Sequence, residues 1–211
     1  MPNTFQGFPT VPRLPWDDFY FNTWFEAVDG YEVIAYYGGG AVIDSAGLHV
    51  TGSGSTGQSV TIRKEITYST PALSWDKKRE LKTTLRFRFN QGEEGYCLVG
   101  LGGIESQYFV GWVVEAGVLY GVVTGDLGPT RAQLEVLGVD WFDETRRLKI
   151  VYNPPSYVQF YVNDVLVATI TTGLPTGDSE AGKILHFRIV PGTPAWNIEL
   201  FCSLWSVWQE Y

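Results

Sequence analysis

Carboxylates are the side chains of this chain that could do the most demanding chemistry, and 23 of its 211 residues are Asp or Glu. Retaining hydrolysis of a glycosidic bond needs two of them on one face, roughly 5 Å apart. The nearest approach to such a pair is Glu93 and Glu94, which would point to opposite faces of an extended strand. Gly92 and Gly95 mark the same stretch as a loop. The spacing of the acidic residues therefore predicts that the protein is not an enzyme.

A glycine-rich stretch at residues 52–57, Gly-Ser-Gly-Ser-Thr-Gly, fits the G-x-G-x-x-G pattern of dinucleotide-binding proteins. That chemistry needs a helix directly after the glycines, with its N-terminus facing the pyrophosphate. Residues 58–68 instead alternate between polar and apolar, as a strand does. We interpret the glycines as a hairpin loop and expect no nucleotide cofactor.

Histidine and cysteine, the usual ligands of transition metals, are few in this chain. His49 and His186 each lie among alternating strand residues, without the second His, Ser or Cys that a zinc site or a catalytic triad requires. Cys97 and Cys202 lie in apolar runs, where a reduced Cys behaves as a small buried hydrophobe. One disulfide between them is the alternative. These residues predict no metal site.

A short acidic stretch offers a choice between calcium binding and a structural role. Asp140, Asp143 and Glu144 carry the oxygen ligands that calcium prefers. Asp140 or Asp143 would equally cap a short helical turn over residues 140–147. Capping is the simpler interpretation, so no cofactor is predicted and calcium is the alternative.

Charge and hydropathy exclude several classes of partner. The formal net charge is −8, from 15 basic and 23 acidic residues, and the basic residues are scattered. Nucleic acid and anionic membranes are therefore not expected as partners. No stretch approaches the ~20 consecutive apolar residues of a membrane-spanning helix. The first residues lack a basic segment followed by an apolar run, so we expect synthesis in the cytoplasm without a signal peptide.

Residues 1–24 are predicted to form an extended N-terminal arm, and residues 25–211 a single folded domain. Four prolines within residues 1–16 disfavour both helix and ladder pairing. Such a segment does not fold alone and is expected to contact a partner through its large apolar residues. These contact residues are Phe5, Phe8, Leu14 and Trp16.

The chain from residue 31 onward consists of short runs of β-branched and aromatic residues, separated by clusters of Gly, Pro, Asn or Asp. This pattern of short apolar runs and turn residues predicts about a dozen strands and no convincing helix. We predict an all-β fold, a two-sheet antiparallel β-sandwich of the jelly-roll type. Residues 80–89 show the alternation of a strand with one buried and one solvent-exposed face, because Leu81 and Leu85 alternate with Lys82 and Arg86.

Other predicted strands are apolar on both faces. In residues 157–170, two apolar runs meet at Asn163-Asp164, which should form a two-residue turn because Asn and Asp tolerate positive φ. This hairpin would place five residues in the core: Val158, Phe160, Val162, Val165 and Val167. Its opposite face would carry Tyr157, Gln159, Tyr161, Leu166 and Ile170. Residues 108–115 and 118–123 repeat the two-sided apolar character.

The second apolar face is predicted to bind a ligand or a partner, since both faces of a sheet cannot point into one core. Aromatic residues make up 15% of the chain, and most of them must fill the space between the sheets. The residues expected on the binding surface are Tyr108, Trp112, Tyr120, Tyr157, Gln159 and Tyr161.

The segment RRLKIVYNPPSYVQFYVNDVLVATITTGLP, residues 146–175, resembles the late hairpin of the concanavalin A-like lectin/glucanase superfamily, which includes laminin-G-like modules. The shared features are an apolar strand, a loop, a Phe-Tyr-Val-Asn turn and a strand ending in Leu-Pro. Asp164 stands where the family usually has Gly. The resemblance covers residues 25–208 and implies a jelly roll that is either a glucanase or a binding module. The Glu-x-Asp-x-x-Glu motif of family 16 glucanases is absent from this chain.

Two functions of different classes follow from these features. The Pro-rich arm, the missing export signal and the two-sided sheet favour a non-catalytic structural protein of the virion surface, a decoration, cement or tail-associated component. Such a protein would bind copies of itself or other virion proteins and leave the cell by lysis. The alternative is an extracellular lectin-like module, in which the tyrosine rings and Gln159 bind glycans.

Overall fold

The computed structural model describes residues 18–23, 32–35, 40–44, 47–52, 60–65, 74–88, 96–103, 108–137, 145–177, 184–190 and 198–210. These residues form strands and turns and include no helix. The strands are β1 (Asp18–Thr23), β2 (Glu32–Ala35), β3 (Gly40–Asp44), β4 (Gly47–Gly52), β5 (Val60–Glu65), β6 (Arg79–Arg88), β7 (Tyr96–Gly102), β8 (Phe109–Glu115), β9 (Val118–Gly125), β10 (Gly128–Val136), β11 (Arg146–Asn153), β12 (Tyr157–Val162), β13 (Val165–Ile170), β14 (Ile184–Val190) and β15 (Ile198–Glu210). The described chain accordingly holds no helix of the length and hydropathy that crossing a membrane requires.

The described strands form two antiparallel sheets, which confirms the predicted all-β sandwich. The larger sheet has eight strands in the order β13-β12-β11-β6-β15-β4-β3, with β1 also paired to β15. The smaller sheet has seven strands in the order β10-β9-β8-β7-β14-β5-β2. A single core fills the space between the sheets.

The end of the predicted arm is part of the larger sheet. Asp18–Thr23 forms β1 and pairs with the second half of β15, from Asp18 opposite Glu210 to Thr23 opposite Trp205. Residues 1–17, which include all four predicted arm contacts, lie outside the described residues. The arm and the domain boundary at residue 24 therefore stay predictions.

The strands β6 and β11 show the predicted alternation between a core face and a wet face. Leu81 and Leu85 are fully buried, while Lys82 between them is exposed. Along β11, Leu148 and Ile150 are buried on either side of Lys149. Because successive side chains of a strand point to opposite faces, this pattern directs the polar residues of both strands outward.

The two sheets fit together where a large residue meets a glycine. Phe160 of β12 is fully buried, and its ring lies against Gly121 of β9 in the facing sheet. A Cβ at residue 121 would come within 2.6 Å of the Phe160 ring, so only glycine leaves room for it. Gly121 lies opposite Trp112 in the sheet ladder, and Trp112 is also buried in the core. This glycine therefore makes the space for two large aromatic side chains.

The smaller sheet is apolar on both faces, as the sequence predicts, but its outer face is closed. Leu98, Phe109, Val113 and Val122 form a second buried cluster, separate from the main core, and each is fully buried. None of these four residues is among those predicted on the binding surface. Only the rim of the cluster, which includes Tyr120, is partly exposed.

The hairpin of β12 and β13 has the predicted turn but a different register. Asn163 and Asp164 have φ values of 49° and 68°, which confirms the two-residue turn with positive φ. Beyond the turn, Tyr161 pairs with Leu166 whereas Phe160 pairs with Ala168, so Val167 is an extra residue in β13. Such a bulge exchanges the faces of all residues that follow it.

Three predicted positions of this hairpin are wrong, and the bulge accounts for two of them, Ile170 and Val167. Ile170, predicted on the outer face, is 5% exposed and belongs to the core, because the shift turns it inward. Val165 and Val167, predicted in the core, are 62% and 39% exposed. They lie on β13, which ends the larger sheet, is hydrogen-bonded to β12 alone among the described strands, and contacts β10 of the smaller sheet.

A buried polar network closes one end of the sandwich. The Tyr152 hydroxyl lies 2.6 Å from the carbonyl oxygen of Trp75 and 2.5 Å from that of Pro175, and it shares its single proton between these two acceptors. Burial raises the pKa of Tyr152, and Asp76 raises it further, whereas Arg79 opposes the shift. Because only the protonated hydroxyl can donate, the network holds β11 against both segments while Tyr152 stays neutral.

Both cysteines are buried thiols that form no disulfide, so the interpretation as reduced core residues is confirmed and the disulfide alternative is wrong. Burial raises the pKa of Cys97 well above its usual range. The Cys202 Sγ lies 3.3 Å from the Thr83 Oγ1. Both thiols therefore act as packing groups of the core.

Candidate functional site

The outer face of β12 carries three of the six residues predicted on the binding surface: Tyr157, Gln159 and Tyr161. All three are half-buried and alternate with the core residues of the same strand. At a rise of about 3.3 Å per residue, the two tyrosine positions are roughly 13 Å apart, with Gln159 midway between them. The strand therefore presents two aromatic rings and one amide in a row.

Tyr161 is held by polar neighbours at its ring face and at its hydroxyl. In the β11–β12 ladder Lys149 lies opposite Tyr161, and its Nζ is 4.0 Å from the centre of the ring. The Tyr161 hydroxyl donates to the Oε1 of Gln159 at 3.0 Å. A cation over an aromatic ring contributes about 0.5–1 kcal/mol at an exposed site. These contacts fix the orientation of a ring that remains partly exposed.

The strand β6 extends this surface on the far side of β11. Lys82 lies directly opposite Lys149 and forms an ion pair with Glu80 on its own strand. Both residues of β6 point outward, because they alternate with buried positions. We call the following six residues the outer patch: Tyr157, Gln159, Tyr161, Lys149, Lys82 and Glu80.

The outer patch has the groups that bind a hydroxyl-rich ligand. Its aromatic rings offer apolar faces for stacking, and the amide, ammonium and carboxylate groups offer both hydrogen-bond donors and acceptors. In the described part of the chain, no group of three or more His, Cys, Asp or Glu residues could hold a metal ion. The candidate calcium ligands Asp140, Asp143 and Glu144 lie outside the described residues.

The structure does not bring the other three predicted residues to the outer patch. Tyr108, Trp112 and Tyr120 belong to the smaller sheet or its edge, whereas the outer patch lies on the larger sheet. Trp112 is 1% exposed and packs in the core, so its predicted place on the surface is wrong. The reason is its register, because Trp112 lies opposite Val99, another core residue.

Tyr108 and Tyr120 are half-buried and have charged neighbours of their own. The Tyr108 hydroxyl donates to the Oδ1 of Asp126, and this hydrogen bond raises the pKa of Tyr108. The guanidinium carbon of Arg131 lies 5.8 Å from the centre of the Tyr120 ring, and Arg131 also pairs with Glu115 at 2.5 Å. Tyr120 packs against the second cluster of the smaller sheet and Tyr108 against the main core, so neither belongs to the outer patch.

Three residues of the outer patch are missing from the predicted binding surface: Lys149, Lys82 and Glu80. Alternation alone predicts that the two lysines face outward. Their position beside Tyr161 follows from the pairing of β6 with β11 and of β11 with β12, which joins residues up to 79 positions apart in the chain. A local sequence signal could not have identified this neighbourhood.

No protein-family model and no curated protein matches the chain. Similar solved structures exist, at identities that concern the fold alone. A protein of unknown function from Shewanella oneidensis MR-1 is 12% identical with a TM-score of 0.63, over 92% of this chain and 87% of that one. The likeness supports the two-sheet β-sandwich.

Two further similar structures are parts of neurotoxins. Botulinum neurotoxin type C, whose cell entry depends on interaction with two ganglioside molecules, is 14% identical with a TM-score of 0.56, over 84% of this chain and 42% of that one. The binding domain of botulinum neurotoxin DC, solved in complex with rat synaptotagmin II, is 14% identical with a TM-score of 0.57, over 84% and 43%. This chain therefore spans less than half the length of the neurotoxin chains that it resembles.

Proposed function

We propose that the protein is a non-catalytic carbohydrate-binding domain and that the outer patch is its glycan site. The Tyr161 ring carries the proposal, because Lys149 and Gln159 fix its orientation while it remains partly exposed. An ordered ring loses little conformational freedom when a sugar stacks on it, and the neighbouring polar groups can then select hydroxyl positions.

The similar structures support this class of function without naming a ligand. One of them is the binding domain of botulinum neurotoxin DC, and ganglioside dependence is stated for botulinum neurotoxin type C. Membership of the concanavalin A-like superfamily is part of the same proposal, and it rests on the hairpin of residues 146–175. An extracellular location accompanies a glycan-binding role.

The test is a glycan array probed with the purified full chain and two matched variants. Tyr161→Ala should lower the affinity for the bound glycans about tenfold or more, because an anchoring aromatic ring is removed. Tyr120→Ala is the control, since Tyr120 is also half-buried and lies near a cation, but on the other sheet. Both variants should keep the melting transition of the parent protein within a few degrees. Equal binding by the parent and Tyr161→Ala would contradict the proposal.

A second candidate function is assembly with other copies or with virion proteins, and the edge strand β13 favours it. Val165, Leu166 and Val167 are 62%, 46% and 39% exposed on a strand that ends the larger sheet. An apolar edge strand can pair with a strand of another chain. A location in the virion belongs to this candidate.

Size measurements distinguish the assembly candidate from the first one. If β13 mediates assembly, Val167→Lys should shift the protein to a smaller species in analytical ultracentrifugation, because a charged side chain blocks edge pairing. Leu127→Lys is the control, since Leu127 is 87% exposed in the turn between β9 and β10, outside the strand β13. An unchanged mass for Val167→Lys would argue against assembly through β13.

A further inference from the structure

The outer face of the larger sheet collects positive charge in a protein whose net charge is −8. Two adjacent strands, β6 and β11, direct four cationic side chains outward, each at an alternate position next to buried residues. They are Lys82, Arg86, Arg147 and Lys149.

Two of these four cationic side chains lie over aromatic rings. An uncharged ring does not neutralise the positive charge of either side chain. Lys149 lies over the Tyr161 ring, and the guanidinium carbon of Arg86 lies 4.1 Å from the centre of the Phe201 ring. Lys82 and Arg147 instead have carboxylate partners, Glu80 and Asp164. A cation–π contact leaves the formal charge and the outward N–H donors in place, so Lys149 and Arg86 can still attract an anion.

The register places two like charges face to face at the centre of the patch. Lys149 and Lys82 are direct cross-strand partners, on strands about 4.8 Å apart, and like charges in that position destabilise a sheet. Glu80, paired with Lys82, offsets part of this repulsion, and an anion bound beside Lys149 would offset the rest and form charge-assisted hydrogen bonds with its ammonium group.

The cationic centre lies in one row with the stacking ring. Across the sheet the order is Leu166 on β13, Tyr161 on β12, Lys149 on β11 and Lys82 on β6. A ligand in this row meets an apolar side chain, then an aromatic ring, then two ammonium groups. A sugar ring stacked on Tyr161 would thus hold an acidic substituent within reach of Lys149.

We infer that the outer patch takes an acidic oligosaccharide, one whose sugars bear carboxylate or sulfate groups. The inference rests on the proposed glycan-binding function and specifies its ligand class. The lysine pair, and not the rings alone, then determines which glycans bind.

Matched probes test the charge separately from the sugar backbone. Oligogalacturonate and its fully methyl-esterified form share one backbone, as do dextran sulfate and dextran. In titration calorimetry with the full chain at low salt, each acidic form should bind about tenfold more tightly than its neutral counterpart. The difference should shrink as salt is added, because the contact is between charges at the surface.

Substitutions of single lysines test whether Lys149 causes the preference for acidic glycans. Lys149→Gln should remove the preference for the acidic form, whereas Lys149→Arg should retain it. Lys77→Gln is the control for net charge, because Lys77 is an exposed lysine outside the patch, and it should leave the preference unchanged. Circular dichroism checks that each variant is folded.

The outcomes separate the ligand class from the function. Equal binding of acidic and neutral forms, with loss in Tyr161→Ala, would overturn the inference and leave glycan binding intact. No binding of either form, together with no binding on the glycan array, would overturn both. Equal weakening by Lys77→Gln and Lys149→Gln, or equally tight binding of a single-stranded oligonucleotide, would indicate non-specific attraction of polyanions and would also overturn the inference.

Discussion

The ring of Phe160 in the larger sheet lies directly against Gly121 in the smaller sheet, closer than any side chain at residue 121 would allow. This contact joins the inner faces of two strands that meet only through tertiary packing. Phe160 also shares the strand β12 with three residues of the outer patch, and it alternates with Gln159 and Tyr161. Loss of this contact is therefore expected to disturb the core first and the patch through it.

The Phe160–Gly121 contact predicts strongly coupled mutations. Phe160→Ala should lower the free energy of unfolding by about 3–5 kcal/mol, because it leaves a cavity in a closed core. Gly121→Ala should lower it by about 1–3 kcal/mol, because the new Cβ overlaps the ring. Gly121→Ala combined with Phe160→Ala should lose less than the sum of the two single changes, by about 1 kcal/mol, because the shortened side chain no longer overlaps the new Cβ.

Urea unfolding of the four proteins in this cycle measures the coupling. Leu48→Ala supplies the control, since Leu48 is a core residue on β4, four strands from β12 in the larger sheet. Its effect should add to that of Gly121→Ala within about 0.5 kcal/mol. Strict additivity of the Gly121 and Phe160 changes would show that the two residues do not compete for the same space.

The hydroxyl of Tyr152 predicts a stability that depends on pH above 10. Tyr152→Phe should lower the free energy of unfolding by about 1–3 kcal/mol at pH 8, because the carbonyl oxygens of Trp75 and Pro175 lose a buried donor. The pKa of Tyr152 is raised in the folded protein above its ordinary value of 10.0, chiefly by burial. Its contribution is therefore complete below the unfolded pKa and is lost as the pH rises through the folded one.

Urea midpoints of the parent and Tyr152→Phe at pH 8 and pH 11 test this relation. At pH 11 the tyrosine ionises in the unfolded parent but not in the folded one, so the stability difference between the two proteins should narrow by about 1 kcal/mol. The other tyrosines are common to both proteins and cancel in the comparison. A difference that is the same at both pH values would show that Tyr152 is not held neutral by its surroundings.

The buried thiols predict chemical protection of the native state. Cys97 and Cys202 should react with an aromatic disulfide reagent about 1000-fold or more slowly in the native protein than in urea, because reaction requires unfolding of the core. The raised pKa of Cys97 slows its reaction further, since the thiolate is the reactive form. The single variants Cys97→Ala and Cys202→Ala assign each rate, and rapid labelling of either thiol without denaturant would place it at the surface.

The sequence by itself determined the local features of this fold. Alternation in β6 and β11 predicted which of their residues face the core, and the structure agrees at Leu81, Lys82 and Leu148. The tolerance of Asn163 and Asp164 for positive φ predicted the hairpin turn. Both properties depend on the steric preferences of neighbouring residues, so the sequence carries them without knowledge of the partner strands.

Only the tertiary structure decided which strand faces lie in the core and which residues become neighbours on the surface. The extra residue Val167 turns Ile170 into the core, and the ladder register turns Trp112 inward beside Gly121. Register also sets Lys149 between Tyr161 and Lys82, which creates the outer patch. These relationships depend on pairing between strands distant in the chain, where a shift by one residue exchanges every face, and local pattern does not specify that shift.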